Sequence, residues 1–154
     1  MHEWKSPPRV QWCQYLLDSY AHWLGQQLIE RHGTPLEQAE HLFNSNFVVA
    51  SHGMEHDPIL NYGNQKALSI WAMNWQQFTQ TPSRLTAEAP NREERERMLE
   101  QAKAQGYIPN YRGIRISSTG QRFWVEKATI WNIHESNGTL IGQGATFATW
   151  KFLS

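Results

Sequence analysis

Apolar residues in the first third of the chain recur every three or four positions, which is the spacing of amphipathic helices. The first stripe covers residues 9–32 and predicts a helix that ends near Gly33. A second helix, residues 35–44, opens with a Thr-x-x-Glu capping box formed by Thr34 and Glu37. The chain is therefore predicted to begin with two consecutive helices.

After residue 46 the apolar pattern changes to strands that alternate with short helices. The predicted elements are strands 47–51 and 59–62, helices 64–73, 75–78 and 91–105, and strands 108–117, 122–134 and 139–150. Glycine-containing turns at residues 118–120 and 136–138 join the last three strands as hairpins. This order predicts an α+β domain with a five-stranded antiparallel sheet, preceded by two N-terminal helices.

Composition limits the classes of partner. The 154 residues are enough for one domain with a proper core, and the 14 basic and 14 acidic residues cancel. Without a net positive field, neither nucleic acid nor a membrane surface is an expected partner. Cys13 is the only cysteine, and no apolar run reaches the length of a membrane span, so we expect a cytoplasmic protein without disulfides.

The segment His52-x-x-Glu55-His56 matches the inverted zinc-protease motif. That motif requires a helix, which places the two histidines on one face toward a single metal ion. Gly53 and Pro58 instead favour a strand, a turn and a second strand. We therefore predict that this turn binds no metal.

Enzyme motifs are absent from the sequence. It has no Gly-x-Ser-x-Gly and no glycine-rich phosphate loop, and Cys13 belongs to the apolar face of a helix, where a structural thiol is expected. The helix predicted over residues 91–105 opens with an Asn91-Arg-Glu-Glu capping box, and its arginines and glutamates alternate. That alternation predicts a solvated, ion-paired face. An enzyme that uses the turn 52–57 is the weakest of the open alternatives.

Residues 58–68, PILNYGNQKAL, look like the strand-to-helix junction of PAS domains, in which an Asn begins the first helix of a crossing between strands. More specific similarity is spread over residues 57–68, 82–88, 90–95, 105–107, 111–123 and 128–132. In this order the segments resemble the stand-alone bacterial type of the MEKHLA domain, a PAS-like family, over about residues 10–153. The resemblance implies an N-terminal helical extension, residues 1–45, and a PAS-like core, residues 46–154.

A PAS-like fold implies a sensory module whose sheet encloses an interior that binds a small organic molecule. The positions expected to face such a ligand are Tyr62, Asn64, Trp71, Ile114, Ile116, Val125, Ile130 and Phe147. Each has a simpler interpretation, because large apolar residues on strands usually form plain core, and Asn64 is suited to cap a helix. The alternative function is accordingly a protein–protein interaction or dimerisation module with a filled core and no ligand.

Four arginines, Arg84, Arg112, Arg115 and Arg122, are spread over a loop and two strands. They would form an anion site only if the fold brought them together. The alternative is that they are separate surface arginines.

The sequence also bears on which cofactors the protein could bind and on whether it forms a dimer. The resemblance implies no haem or flavin, because Cys13 is in the wrong helix for a photoactive flavin site and residues 91–105 contain no histidine for haem. The expected ligand is a modest organic molecule. A homodimer is expected because the first helix carries aromatic side chains around much of its surface, more than one domain is expected to cover: Trp12, Tyr15, Tyr20 and Trp23.

Overall fold

A computed structural model describes residues 3–153 of the chain. The helices are α1 (Pro7–Leu24), α2 (Pro35–Phe43), α3 (Gln65–Trp71), α4 (Trp75–Phe78) and α5 (Ala89–Gln105), with short 3-10 helices at Glu3–Lys5 and Ser83–Thr86. The strands are β1 (Val48–His52), β2 (Leu60–Gly63), β3 (Tyr107–Ile116), β4 (Arg122–His134), β5 (Leu140–Phe147) and β6 (Thr149–Phe152). Every predicted helix and strand is present, with boundaries that differ by a few residues in most cases.

The strands form one antiparallel sheet in the order β2-β1-β5-β4-β3, and β6 also pairs with β4. On β4, Thr129 lies opposite Thr146 of β5, and Glu126 lies opposite Thr149 of β6. Because this pairing keeps one register, β5 and β6 act as a single strand interrupted at Ala148. The predicted five-stranded antiparallel sheet is confirmed.

Both faces of the sheet are covered by helices. The inner face packs against α3, α4 and α5, and Val48 of β1 is among its buried residues. The outer face packs against α1 and α2, and it holds Val49 and Trp131, both fully buried. Successive side chains of a strand point to opposite faces, so β1 is buried on both sides.

Helix α1 is shorter than predicted. It ends at Leu24 because Gly25 adopts a left-handed conformation (φ 72°) and donates its amide to the carbonyl of Ala21 at 3.0 Å, a glycine C-cap. Ile29 is still buried with the outer-face residues although it lies outside any helix. Apolar spacing after residue 25 thus reflects burial of an irregular segment.

Helix α5 begins two residues before the predicted start. Ala89 and Pro90 occupy its first turn, where proline is tolerated because the first amides have no intrahelical acceptor. The amide of Asn91 donates to the carbonyl of Glu88 at 2.8 Å, so Asn91 is inside the helix. The predicted Asn91 capping box is wrong.

The aromatic residues of α1 pack mainly on the protein's own sheet. Trp12 donates its indole N–H to Ser51 Oγ at 2.9 Å, and Trp23 donates to the carbonyl of Asn132 at 3.0 Å. Because most of this aromatic surface is covered by the protein's own sheet, it gives little support for a homodimer, which stays a prediction.

Within residues 3–153, no helix combines the length and hydropathy needed to cross a membrane.

Asn64 ties the start of the helical crossing to the sheet. Its fully buried amide oxygen accepts from the amides of Ala67 and Val49, each at 3.1 Å, and its nitrogen donates to the carbonyls of Leu42 and Phe47 at 3.3 and 2.8 Å. One side chain thus caps α3 and holds α2 and β1 in place.

We predict that Asn64→Ala lowers the free energy of unfolding by roughly 2–4 kcal/mol, because it removes a cap and leaves buried backbone groups without partners. Asn74→Ala is the matched control, since Asn74 caps α4 in the same way but is exposed. The control should cost about 1 kcal/mol. Urea denaturation of both variants checks the difference, and equal losses would contradict it.

Candidate functional site

A cavity of about 80 Å³ lies between the inner face of the sheet and the helices α3, α4 and α5. Strands β1 to β5 and the 3-10 helix Ser83–Thr86 complete its wall. The large apolar side chains that line it are Leu60, Trp71, Phe78, Met98, Leu99, Val125, Ile130 and Phe147. Most of the wall is therefore aromatic and aliphatic.

Two arginines form the charged part of this wall. Arg95 of α5 is 5% exposed, and Arg115 of β3 is 8% exposed. Within residues 3–153, no Asp or Glu lines the cavity. Two buried positive charges therefore face a space that contains no carboxylate.

Each guanidinium is only partly hydrogen-bonded. Arg95 donates to Ser83 Oγ and, at 3.3 Å, to the exposed carboxylate of Glu96. Arg115 donates to the carbonyl of Ile114 at 2.8 Å and to the hydroxyl of Tyr111 at 3.2 Å. The other N–H groups of both side chains have no hydrogen-bond partner in the described part of the chain.

Burial determines the electrostatics of these groups. Loss of hydration, with the nearby charge of Arg115, lowers the pKa of Arg95 from 12.5 to about 10, so the group stays charged at neutral pH. Burial also raises the pKa of Tyr111. Arg115 donates to the Tyr111 hydroxyl, which in turn donates to the exposed carboxylate of Glu94 at 2.7 Å. The negative charge that Arg115 reaches through Tyr111 therefore lies outside the cavity.

Two further polar groups at the cavity are fully buried and have no hydrogen-bond partner among residues 3–153: the indole N–H of Trp71 and Nε2 of His52. Nδ1 of His52 lies 2.9 Å from the carbonyl of Gly53, which fixes the proton on Nδ1 and leaves Nε2 as an acceptor in the neutral ring. Buried polar groups are normally paired, so unpaired ones at a cavity indicate a place for a ligand or water.

A row of polar residues crosses the three central strands beside the cavity. Gln143 of β5 lies opposite His52 of β1 on one side and opposite Asn132 of β4 on the other. Gln143 Nε2 donates to the carbonyl of Leu99 at 3.1 Å, and Asn132 Nδ2 donates to the carbonyl of Lys103 at 3.1 Å. These bonds fix α5 against the sheet.

The structure brings together only half of the predicted ligand-facing residues. Trp71, Val125, Ile130 and Phe147 line the cavity. The other four positions, Tyr62, Asn64, Ile114 and Ile116, do not line it. Of these, Tyr62 belongs to the outer-face core and Asn64 caps α3.

The four arginines proposed as an anion site are not gathered in one place. Only Arg115 lines the cavity. Arg84 pairs with Asp57 at 3.2 Å, Arg112 with Glu126 at 2.9 Å and Arg122 with Glu88 at 3.8 Å, all at half-exposed positions. Three of the four arginines therefore belong to separate ion pairs at the surface.

Arg95 and His52 are the site residues that the sequence reasoning missed. Arg95 belongs to the predicted solvated face of α5, yet it is buried with Met98 and Ala102. The spacing of residues 95, 98 and 102 could have predicted this burial, because these positions lie on one helix face. Met98 and Ala102 on that face are apolar. For His52, the sequence indicates only a polar turn, whereas the structure buries this residue at the end of β1 beside the cavity.

The histidine-rich segment after β1 forms an irregular turn, as predicted, and not a helix. Its first histidine, His52, is buried at the end of β1, while Glu55 and His56 are exposed. Among the described residues, no group of three His, Cys, Asp or Glu side chains is placed to hold a metal ion.

Cys13 lies in the core on the outer face, on the other side of the sheet from the cavity. Burial raises the pKa of its thiol to about 12, and burial likewise raises the pKa of the neighbouring Tyr62 phenol. A thiol held in its protonated form is unreactive as a nucleophile. Cys13 is thus a structural residue of the α1 interface.

Comparison with known proteins gives a family and a fold. The family profile described as MEKHLA domain matches residues 10–152. A search of curated protein sequences gave no significant match.

Among solved structures, a PAS domain from Colwellia psychrerythraea is similar with a TM-score of 0.63 at 12% identity, covering 71% of this chain and 92% of that one. A light-oxygen-voltage domain studied with a flavin analogue gives 0.60 at 11% identity, covering 77% and 85%. An RNA-binding light-oxygen-voltage receptor gives 0.63 at 12% identity, covering 82% of this chain and 37% of that chain. At these identities the similarity establishes a PAS-like fold.

The cavity does not fit a flavin. Benzene occupies an engineered cavity of about 150 Å³, and the isoalloxazine of a flavin has three fused rings. The cavity here is about half that size, and no cysteine lines it. The cavity is therefore too small for the ring system of a flavin.

The buried His52 predicts a pH dependence of stability. Burial, reinforced by Arg95 and opposed by the Gly53 carbonyl and Glu55, lowers the pKa of His52 below 6.5. Below pH 6.5 the unfolded chain binds a proton at residue 52 that the folded chain does not, so stability decreases as pH falls.

We expect His52→Gln to reduce this decrease, by at most about 1.4 kcal/mol per pH unit. His56→Gln is the control, because it removes an exposed histidine from the same turn. Unfolding free energies measured from pH 7 to pH 5 check the prediction. Parallel curves for wild type and His52→Gln would refute it.

Proposed function

The chain belongs to the MEKHLA domain family, and we propose that it is a PAS-like sensory module that binds a small organic molecule in the cavity beneath its sheet. The observation that carries this proposal is the cavity, because it combines an apolar wall with unpartnered polar atoms of Trp71 and His52. Ligand pockets have this composition, with a few polar groups that fix the ligand's orientation.

The contacts around the cavity offer a path from ligand to surface. Gln143 lines the cavity and donates to Asn132 Oδ1 at 3.3 Å. The Asn132 side chain binds α5 through Lys103, and its backbone carbonyl accepts from Trp23 of α1. A ligand that moves Gln143 would therefore change contacts of both helices.

The alternative is an interaction module whose interior holds no ligand. Dimerisation through the outer sheet face would require α1 to leave that face, because α1 covers Trp131 and Ile133. The exposed large apolar residues, Leu36, Met54, Leu85 and Phe152, come from different parts of the chain. The cavity therefore supports the ligand-binding proposal better than these surfaces support dimerisation.

Native mass spectrometry of protein purified from its own host tests the proposal, because it reports bound molecules and the number of subunits together. We expect an organic molecule bound to the wild type and lost from Ala145→Leu. Ala145 lines the cavity opposite Ala50 and Ile130, so three added carbons would fill the space.

The matched control is Ala104→Leu on the exposed side of α5, which should retain the molecule. Circular dichroism would verify that both variants are folded, since overpacking costs about 1–3 kcal/mol. A molecule retained by Ala145→Leu would place binding elsewhere. A ligand-free wild-type dimer would favour the interaction module.

A further inference from the structure

Resting on the proposed function, we infer that the ligand is a short-chain organic carboxylate, with its carboxylate bound by Arg95 and Arg115 and its aliphatic part packed against the apolar wall. The arrangement of donors, charge and space around the cavity carries this assignment.

The cavity offers many hydrogen-bond donors and few acceptors. Arg95 and Arg115 each have N–H groups without a partner in the described chain, and Trp71 has an unpartnered indole N–H. On the acceptor side, Nε2 of His52 and Oε1 of Gln143 are side-chain atoms of the wall to which no described residue donates. A carboxylate accepts several hydrogen bonds through its two oxygens and matches planar guanidinium donors, whereas a cationic or donor-rich ligand would leave the arginines unsatisfied.

The charge balance leads to the same class of ligand. Among the described residues, Arg95 forms an ion pair only with Glu96, whose side chain is 62% exposed. Arg115 donates to a backbone carbonyl and to the hydroxyl of Tyr111. Buried cations without a buried counter-charge are costly, and a bound anion supplies the missing charge.

The apolar wall distinguishes an organic carboxylate from an inorganic anion. Phosphate would place unpaired oxygens against Phe78 and Phe147, and burial of unpaired polar atoms is unfavourable. A ligand with one charged end and an aliphatic remainder satisfies both parts of the cavity. Scaled from the benzene cavity, the volume accommodates about three to four non-hydrogen atoms, which is the size of acetate.

The competing explanation is that both arginines are purely structural, because Arg95 holds Ser83 and Arg115 holds its own strand. Stability separates the two explanations. An arginine kept for ligand binding can be replaced by methionine with little loss, or a gain, of stability in the ligand-free protein. An arginine kept for structure cannot.

The test is calorimetric titration of the full chain with acetate, with acetamide as its neutral analogue and with inorganic phosphate. We expect saturable binding of acetate, and binding weakened at least about 30-fold in Arg95→Met and in Arg115→Met. Arg112→Met is the matched control on the same strand, because Arg112 is half-exposed and pairs with Glu126. It should bind acetate like the wild type.

Thermal unfolding without ligand should show Arg115→Met at or above the wild-type melting temperature. If that variant does not fold, Arg115→Lys takes its place, because it keeps the charge but loses the planar fork. It should bind acetate more weakly than the wild type.

Any one of four results would overturn the inference. They are acetamide binding as tightly as acetate, phosphate binding as tightly as acetate, acetate binding unaffected by both arginine substitutions, and no acetate binding. The failures are distinguishable. A neutral molecule found by native mass spectrometry and lost in Ala145→Leu would leave the proposed function standing, whereas no bound molecule in either experiment would remove both.

Discussion

Burial of the central strands on both faces is the constraint on which the rest of the structure depends. In β1 all five residues are buried, so its side chains meet α1 on one face of the sheet and the helical crossing on the other. A polar residue on such a strand must find a partner in a helix, which explains why Gln143 and Asn132 both bind carbonyls of α5. The cavity arises within this arrangement because Ala50, Ala128 and Ala145 place small side chains on its wall.

The two buried arginines are understood best as a compromise between stability and binding. A guanidinium inside a protein loses its hydration, and the usual compensation is a carboxylate at hydrogen-bond distance. Around Arg95 and Arg115 the carboxylates of Glu94 and Glu96 are exposed, so the compensation within the described chain is incomplete. Functional sites keep such unfavourable arrangements where a ligand completes them. The incomplete compensation therefore favours a binding role over a structural one for Arg95 and Arg115.

Most of the fold was predictable from the sequence, and the site was only partly so. Element order and hairpins follow from local spacing and turn residues, which is why the five-stranded sheet was predicted correctly. Local patterns do not show which charged residue on a helix faces inward, so Arg95 was assigned to the solvated face although it is buried. Likewise, the pairing of Arg112 with Glu126 depends on the register between β3 and β4, which apolar spacing does not specify.

The position of α1 suggests how a filled cavity could be detected outside the domain. Trp23 of α1 donates to the carbonyl of Asn132, while the side chain of Asn132 bonds to α5 and accepts from Gln143 at the cavity. A shift of one hydrogen-bonded residue in a close-packed region is transmitted to its partners because there is no free volume to absorb it. Arg95 provides a second connection, since it joins α5 to the 3-10 helix through Ser83. In the proposed complex, the bound carboxylate would neutralise Arg95 and so alter its bond to Ser83. Gln143 would act on α1 through Asn132. Both routes therefore begin at residues of the cavity wall.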